Sequence, residues 1–539
     1  MPTREGEHAF DACCLECLRC DLTTVHGGTL SPLPGVRRTS ARGHTPGVRG
    51  RWRALVAASV VVSFVSSACV PAVRNDGGVA RVAVDVGTLE WSDCGDGLDC
   101  ATLVVPFDHE RPDDGRTFRL PIIRARATSV GRIGAVVLNP GGPGGSGVDL
   151  VRSIAGSDAV AELNQRFDLV GFDPRGVRGS EPAVRCADDG YDDAVDTLGP
   201  GGLDRAAYAA AVVADRQACV DANRELLDHV GTNDAARDLD MLREALGEER
   251  LTYLGFSYGT RIGMAYAAIF PDRYRALALD GADNPTTSVS RSVGAQYLGF
   301  EEAFDAFTAW CDDTDECSAS RTGGAERTFR AVEERLRVDG SIPIVDSVRV
   351  VTLGELYLGV IAGLYGEDGW PLVGRALARA SEGDGSLLQW LADTLVDRRS
   401  DGTYENTMEA NVAVNCADDV ERPTIDDALD RGIDLATRLP RFGPLGVGAF
   451  TDCVGWPSSS DPVRTGSGGA PTPVLVVGTT GDPATPYAWA EALAASIGNA
   501  TVLTNVAEGH TSYFSSVCVR DAVNAYLVAG AVPSSTRCG

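Results

Sequence analysis

The 539-residue chain contains no lysine, so all 48 of its Lys-or-Arg positions are arginine. This bias has the look of a GC-rich genome rather than of chemistry. It excludes the lysine-bearing phosphate loop of nucleotide-binding proteins. Positive charge is scarce altogether. Against those 48 arginines stand 75 acidic residues, for a net charge of -27 and a pI near 4.6. Nucleic-acid recognition needs clustered basic charge, so that class of partner is excluded. The acidic balance bears on solubility and says little about fold. Histidine is also sparse: six in all, of which only His109, His229 and His510 follow the N-terminal region. The apolar stretch Ala54–Val65 is shorter than the roughly 20 residues that span a bilayer.

With 44% hydrophobic residues the chain can bury a sizeable core, and its length suggests two or three folding units. Residues 1–47 read as an unstructured leader or as sequence upstream of the true start. Cys17 and Cys20 have the C-x-x-C spacing of a zinc pair, but no second pair follows at suitable spacing, so no metal site is expected. Residues 48–68 have the three parts of a secretory signal. Arg49, Arg51 and Arg53 precede the apolar Ala54–Val65, and the small residues Ser66-Ser67-Ala68 lead to Cys69. Cys69 resembles the lipidated cysteine of a bacterial lipoprotein, although Ser66 stands where leucine is usual. The expectation is an exported protein, anchored to the envelope at Cys69 with a linker over 69–88. Plain cleavage after Ala68 and free secretion is the competing reading. Apart from that anchor, no membrane association is expected.

Ten cysteines follow Cys69, an even number that suits an oxidising compartment. Pairing of nearest neighbours gives Cys94–Cys100, Cys186–Cys219, Cys311–Cys317, Cys416–Cys453 and Cys518–Cys538. Connectivity does not follow from sequence alone.

From residue 89 the pattern alternates strands with helices. Strands are expected at 103–106, 118–127, 135–138, 167–172, 251–254 and 276–279. Helices are expected at 234–246, with Leu239, Leu242 and Leu246 on one face, and at 259–270. Such alternation implies a mostly parallel sheet with helices on both faces. The pattern turns helical over 286–456 and returns to strands at 473–477 and 501–505, the last strand expected. The chain therefore reads as a core in two parts, 89–285 and 457–539, with a helical cap inserted between them. The Ser- and Gly-rich stretch 458–470 is the linker back from the cap.

Gly255-Phe256-Ser257-Tyr258-Gly259 is a G-x-S-x-G elbow, in which small flanking residues let strand and helix approach around a serine. A chain with 62 glycines contains such a pattern by chance roughly every second time, so context carries the weight. Here an apolar strand precedes it and a helix of small residues follows. A serine hydroxyl needs a base, and in the α/β-hydrolase arrangement the order is serine, acid, histidine. Only His510 lies in the right region, just after the last expected strand. Asp482, at the end of the preceding strand, would hold its imidazole. The developing oxyanion needs backbone donors, expected from Tyr258 and from Gly141 or Gly142 of the loop Asn139–Gly147.

These motifs in this order resemble the tripeptidyl-aminopeptidase-like branch of the α/β-hydrolase peptidases of actinobacteria, relatives of the prolyl aminopeptidases. The resemblance spans about 89–539. It rests on Asn139–Gly147, Gly171-Phe172-Asp173-Pro174-Arg175-Gly176, the elbow, Asp280-Gly281, Asn415-Cys416-Ala417-Asp418, Gly481-Asp482-Pro483-Ala484-Thr485-Pro486-Tyr487 and Gly509-His510-Thr511. Arg178 before Gly179 departs from the family pattern, in a loop near the expected entrance. The resemblance implies release of short peptides, tripeptides in the type case, from a peptide or protein with a free N-terminus, without a cofactor. A carboxylate must then hold the substrate ammonium, and Glu409, Asp418 and Asp419 are the candidates. Thr485 is placed to orient Asp482 or to line the pocket. A carboxylesterase or lipase using the same three residues is the alternative, and a catalytically silent binding protein is a third class.

Overall fold

The computed structural model describes residues 88–186, 203–284, 286–466 and 471–539. The expected leader and signal segments, with Cys17, Cys20 and Cys69, lie outside these residues, as does most of the 69–88 linker. So do Pro285 at the expected start of the cap and 467–470 of the expected return linker.

In chain order the strands are β1 (Ser92–Asp93), β2 (Leu98–Pro106), β3 (Thr117–Ala125), β4 (Gly134–Asn139), β5 (Phe167–Phe172), β6 (Leu251–Phe256) and β7 (Tyr274–Asp280). They continue with β8 (Ile342–Pro343), β9 (Val350–Val351), β10 (Val474–Gly481), β11 (Ala500–Glu508) and β12 (Arg537–Cys538). Strands β8 and β9 pair only with each other. The other ten form one sheet in the order β1-β2-β3-β5-β4-β6-β7-β10-β11-β12. Pairing is antiparallel from β1 to β5 and parallel from β5 to β12. Every residue of β4, β5 and β6 is buried. This explains why they are mainly apolar, since a parallel strand is covered by helices on both faces. Alternate residues of β4 serve opposite faces: Ala135 and Val137 enter one apolar cluster, Val136 and Leu138 the other.

The helix Gly259–Ile269 behind the elbow is buried over almost its whole length, and its Gly263, Ala265 and Ala267 let it lie close on the sheet. The helix Thr232–Ala245 buries Leu239 and Leu242 as its periodicity predicts. Between β7 and β10 come seven helices of ten residues or more: Val289–Asp312, Ala325–Asp339, Leu353–Leu364, Trp370–Glu382, Ser386–Leu395, Thr407–Asp418 and Ile425–Arg438. The first five enclose an apolar core of their own around Phe304, Phe307, Phe329, Tyr357 and Trp370. The helix Thr407–Asp418 belongs instead with the sheet, since its Ala413, Val414 and Cys416 join the core packed on β4 and β6.

The structure closes the five cysteine pairs that are nearest in sequence. One expectation is corrected. The strand at 501–505 extends over Ala500–Glu508 and is not the last, because β12 pairs with it at the sheet edge. Two residues carry no readable strand pattern, and Cys538 is held there by its bond to Cys518. Among the described residues no helix is long and apolar enough to cross a membrane.

Candidate active site

Ser257 sits between β6 and the helix Gly259–Ile269 with φ of 53°, a left-handed conformation that a non-glycine residue adopts only when its surroundings enforce it. The two elbow glycines are what permit the turn. A Cβ on Gly255 would lie 2.5 Å from Gly259 O, and one on Gly259 would lie 2.8 Å from Asn139 O and Oδ1. The turn is fastened by Ser257 N–H, which donates to the Asp280 carbonyl at 2.9 Å.

Asp482 and His510 leave the C-terminal ends of β10 and β11 and meet. His510 Nδ1 lies 2.9 and 3.0 Å from the two Asp482 oxygens. With the proton on Nδ1, Nε2 keeps a free lone pair. The Asp482 carboxylate is fully engaged. It accepts the N–H groups of Ala484 at 3.0 Å and Thr485 at 2.8 Å, and the Thr485 hydroxyl at 2.9 Å. Thr485 Oγ1 is also 3.2 Å from His510 Nδ1, so this threonine braces both groups. Burial opposes charge on His510, but Asp482, with Asp280 and Asp283 behind it, outweighs burial and holds the imidazole above its ordinary pKa. Ser257 and His510 both lie beside the end of β7. Ser257 is fastened to Asp280, and a Cβ on the next residue, Gly281, would lie 3.2 Å from His510 Cε1.

The loop after β4 lies against the elbow: a Cβ on Gly141 would be 3.0 Å from Tyr258 N. Gly141 cannot serve as an oxyanion donor, because its own N–H donates to Asn139 Oδ1 at 3.0 Å. Gly142 N–H has no acceptor among the described residues. Tyr258 N–H stands at the start of the helix Gly259–Ile269, where backbone donors have no intrahelical partner.

Two of the three carboxylates considered for a substrate ammonium are committed elsewhere. Asp418 is buried. It accepts Thr232 N–H at 2.7 Å, the Thr232 hydroxyl at 2.5 Å and Arg261 Nη1 at 3.2 Å. Thr232 in turn meets Tyr258 OH at 2.7 Å, so this network buttresses the elbow from behind. Asp419 accepts Val289 N–H at 2.5 Å, at the start of the helix Val289–Asp312, and Glu421 N–H at 2.9 Å. Glu409 differs, being half-buried with no ion pair among the described residues. Burial pushes its carboxyl up, against the pull of Arg185 and of the Cys186 N–H. Its helix, Thr407–Asp418, lies on the loop after β4, where Asn411 Nδ2 donates to Pro143 O at 3.1 Å.

Three further residues act on the site. The Tyr365 carbonyl accepts His510 N–H at 2.7 Å, and its ring meets the imidazole edge-on at 5.5 Å. Buried Asp173 accepts the Ser146 hydroxyl at 2.6 Å and Gly179 N–H at 3.1 Å, which anchors the glycine-rich loop. Arg178, the departure from the family pattern, bridges Asp149 at 2.5 Å and Glu405 at 2.8 Å. Of these, Asp173 stood in a motif already noted, while Tyr365 carried no signal. Among the described residues no group of three His, Cys, Asp or Glu could hold a metal.

The profile of the family described as TAP-like protein matches residues 439–538, and that of the alpha/beta hydrolase fold matches 134–320. Serine protease Hip1 of Mycobacterium tuberculosis is 35% identical over 516 residues, which is 90% of this chain and 96% of that protein. The chain belongs to the tripeptidyl-aminopeptidase-like family of α/β-hydrolases. Carboxylesterase B of Mycobacterium tuberculosis is 36% identical over 81% of this chain and 86% of its own length. Tripeptidyl aminopeptidase of Streptomyces lividans is 30% identical, over 82% and 84%. As a member of this family the chain is a serine hydrolase of peptidase type.

Proposed function

We propose that the chain is an exported serine aminopeptidase that releases short peptides, tripeptides in the type case, from free N-termini. The observation that carries this reading is the braced pair of Asp482 and His510, beside an elbow serine held in a left-handed turn. In the proposed chemistry His510 Nε2 takes the Ser257 proton as Oγ attacks the scissile carbonyl. The oxyanion is held by the N–H groups of Tyr258 and Gly142. The imidazolium, stabilised by Asp482, then protonates the leaving amine. Water repeats the sequence to free the acyl-enzyme. Glu409 is the carboxylate proposed for the substrate ammonium, since among the described residues it is half-buried on the helix that meets the loop after β4 and forms no salt bridge, although Arg185 acts on it from a distance. The relatives named serine protease and tripeptidyl aminopeptidase support a peptidase.

The test is a matched set of substrates: a free-amine tripeptide anilide, its N-acetylated twin and a short-chain ester, each with the wild type and with Ser257→Ala. Fast cleavage of the free-amine peptide alone, abolished by Ser257→Ala, is the expected result. The relative named carboxylesterase favours a second reading, esterase action by the same residues, and fast ester turnover with slow cleavage of both peptides would establish it. Anchorage at Cys69 is proposed from the sequence, and loss of lipid labelling in Cys69→Ala tests it.

A further inference from the structure

Asp280 is fully buried at the end of β7, and it touches both halves of the site. Its carbonyl accepts Ser257 N–H at 2.9 Å. Its carboxylate accepts Ser512 N–H, at 2.9 Å to one oxygen and 3.1 Å to the other, and Tyr513 N–H at 2.8 Å. Those two donors directly follow Thr511, which has φ of 62°. A β-branched residue disfavours that left-handed region, so the turn after His510 needs an outside hold. Hydrogen bonds to a carboxylate are the stronger kind and can supply it. Ser512 is fastened a second time through its hydroxyl to Thr479 of β10. Ser257 thus rests on the Asp280 carbonyl and the His510 loop on its carboxylate, so both halves of the site meet at one residue that no step of the proposed chemistry uses.

We propose that Asp280 is a positioning residue of the hydrolase, holding Ser257 and the loop that carries His510 in one register. The inference rests on the reading of Ser257 and His510 as nucleophile and base. Burial pushes the Asp280 carboxyl up to about 6, against the pull of the Ser512 and Tyr513 N–H groups that favour its charged form. A residue that only satisfied buried donors would affect stability alone. A positioning residue sets the rate of each properly folded molecule.

The experiment uses the whole protein and the rate at which a fluorophosphonate modifies Ser257, together with kcat and KM on the tripeptide anilide. Asp280→Asn keeps the volume but turns an NH2 group toward the backbone N–H groups. Labelling rate and kcat should fall together by at least 20-fold, with KM within threefold. Adding Thr511→Gly should recover at least fivefold, because glycine takes that φ without strain. Labelling at the wild-type rate, or no recovery in the double variant, overturns the proposal. If Asp280→Asn does not fold, Asp280→Glu serves instead. It keeps the charge but displaces the carboxylate by a methylene, so the same fall is expected and a wild-type rate overturns it. Ser257→Ala separates the two levels of inference. Labelling of that variant as strong as wild type refutes the nucleophile and Asp280 together. An unlabelled Ser257→Ala beside a fully reactive Asp280→Asn refutes Asp280 alone.

Discussion

Gly141→Ala perturbs the proposed oxyanion hole from outside the reacting groups. Gly141 has φ of 97°, and an alanine Cβ there would lie 2.5 Å from Phe256 O and 2.8 Å from Ser257 Cβ. Left-handed backbone costs a non-glycine residue about 1–2 kcal/mol. Relieving the overlap costs about 1–3 kcal/mol more, because the neighbours are elbow backbone and cannot swing aside. A stability loss of about 2–5 kcal/mol is expected, read from denaturant unfolding. The loop must retreat by about 1 Å, and a displacement of that size costs about 100-fold in rate. That figure lies at the lower end of the roughly 100- to 1000-fold loss on deleting an oxyanion donor. The assay is kcat on the tripeptide anilide per active site, with sites counted by fluorophosphonate titration. A variant that unfolds earlier but turns over at the wild-type kcat would refute the placement of the oxyanion hole beside this loop.

Asp482→Asn should lower kcat by about 10⁴-fold with little change in KM, because an amide cannot fix the Nδ1–H tautomer; steady-state kinetics decide this. The base must be neutral, and Asp482 holds His510 above its ordinary value. Activity, as kcat/KM, is therefore lost as pH falls through a point above the usual imidazole value of about 6.5. In Asp482→Asn burial is less opposed, so the residual activity should persist to lower pH; an unmoved limb in the pH profile contradicts the assignment. Asp418→Ala leaves the buried Thr232 N–H without its acceptor and removes one of two carboxylates from Arg261, which keeps Asp283 at 2.6 Å, and should cost about 1–3 kcal/mol in a denaturant titration. Replacing Cys416 and Cys453 by serine together should cost about 2–5 kcal/mol, seen as a lower unfolding midpoint without reductant, where the other four disulfides stay closed.

The sheet was legible because its central strands are buried on both faces, so β4, β5 and β6 appear as short, mainly apolar runs. The elbow was legible for a related reason: close approach of backbones leaves glycine two residues either side of Ser257. Asp482 and His510 were readable from position alone, each just beyond a strand end. That the helix Thr407–Asp418 packs on the sheet, inside the block read as a cap, was not legible because it has no single apolar stripe. It packs Ala413, Val414 and Cys416 on the core while Asn411 reaches Pro143 and Asn415 reaches Arg261. Asp418 looked like any acidic turn residue. Its burial depends on Arg261 and Thr232, distant partners that no local pattern reveals. Asp280 was noted only as part of a motif, since its three backbone partners come from two other segments.

His510 is gripped from a segment that precedes it in the chain: its N–H rests on Tyr365, at the end of a helix of the inserted block. Synthesis delivers that block after the elbow and before the histidine. On the proposed chemistry, an intermediate that has folded only the first part of the sheet carries a nucleophile with no base. One that has not yet closed the inserted helices carries a base without its upper support. Hydrolytic competence thus arrives last, as a product of completed folding, so a half-folded chain is spared cleavage by itself and by its equally unfinished neighbours.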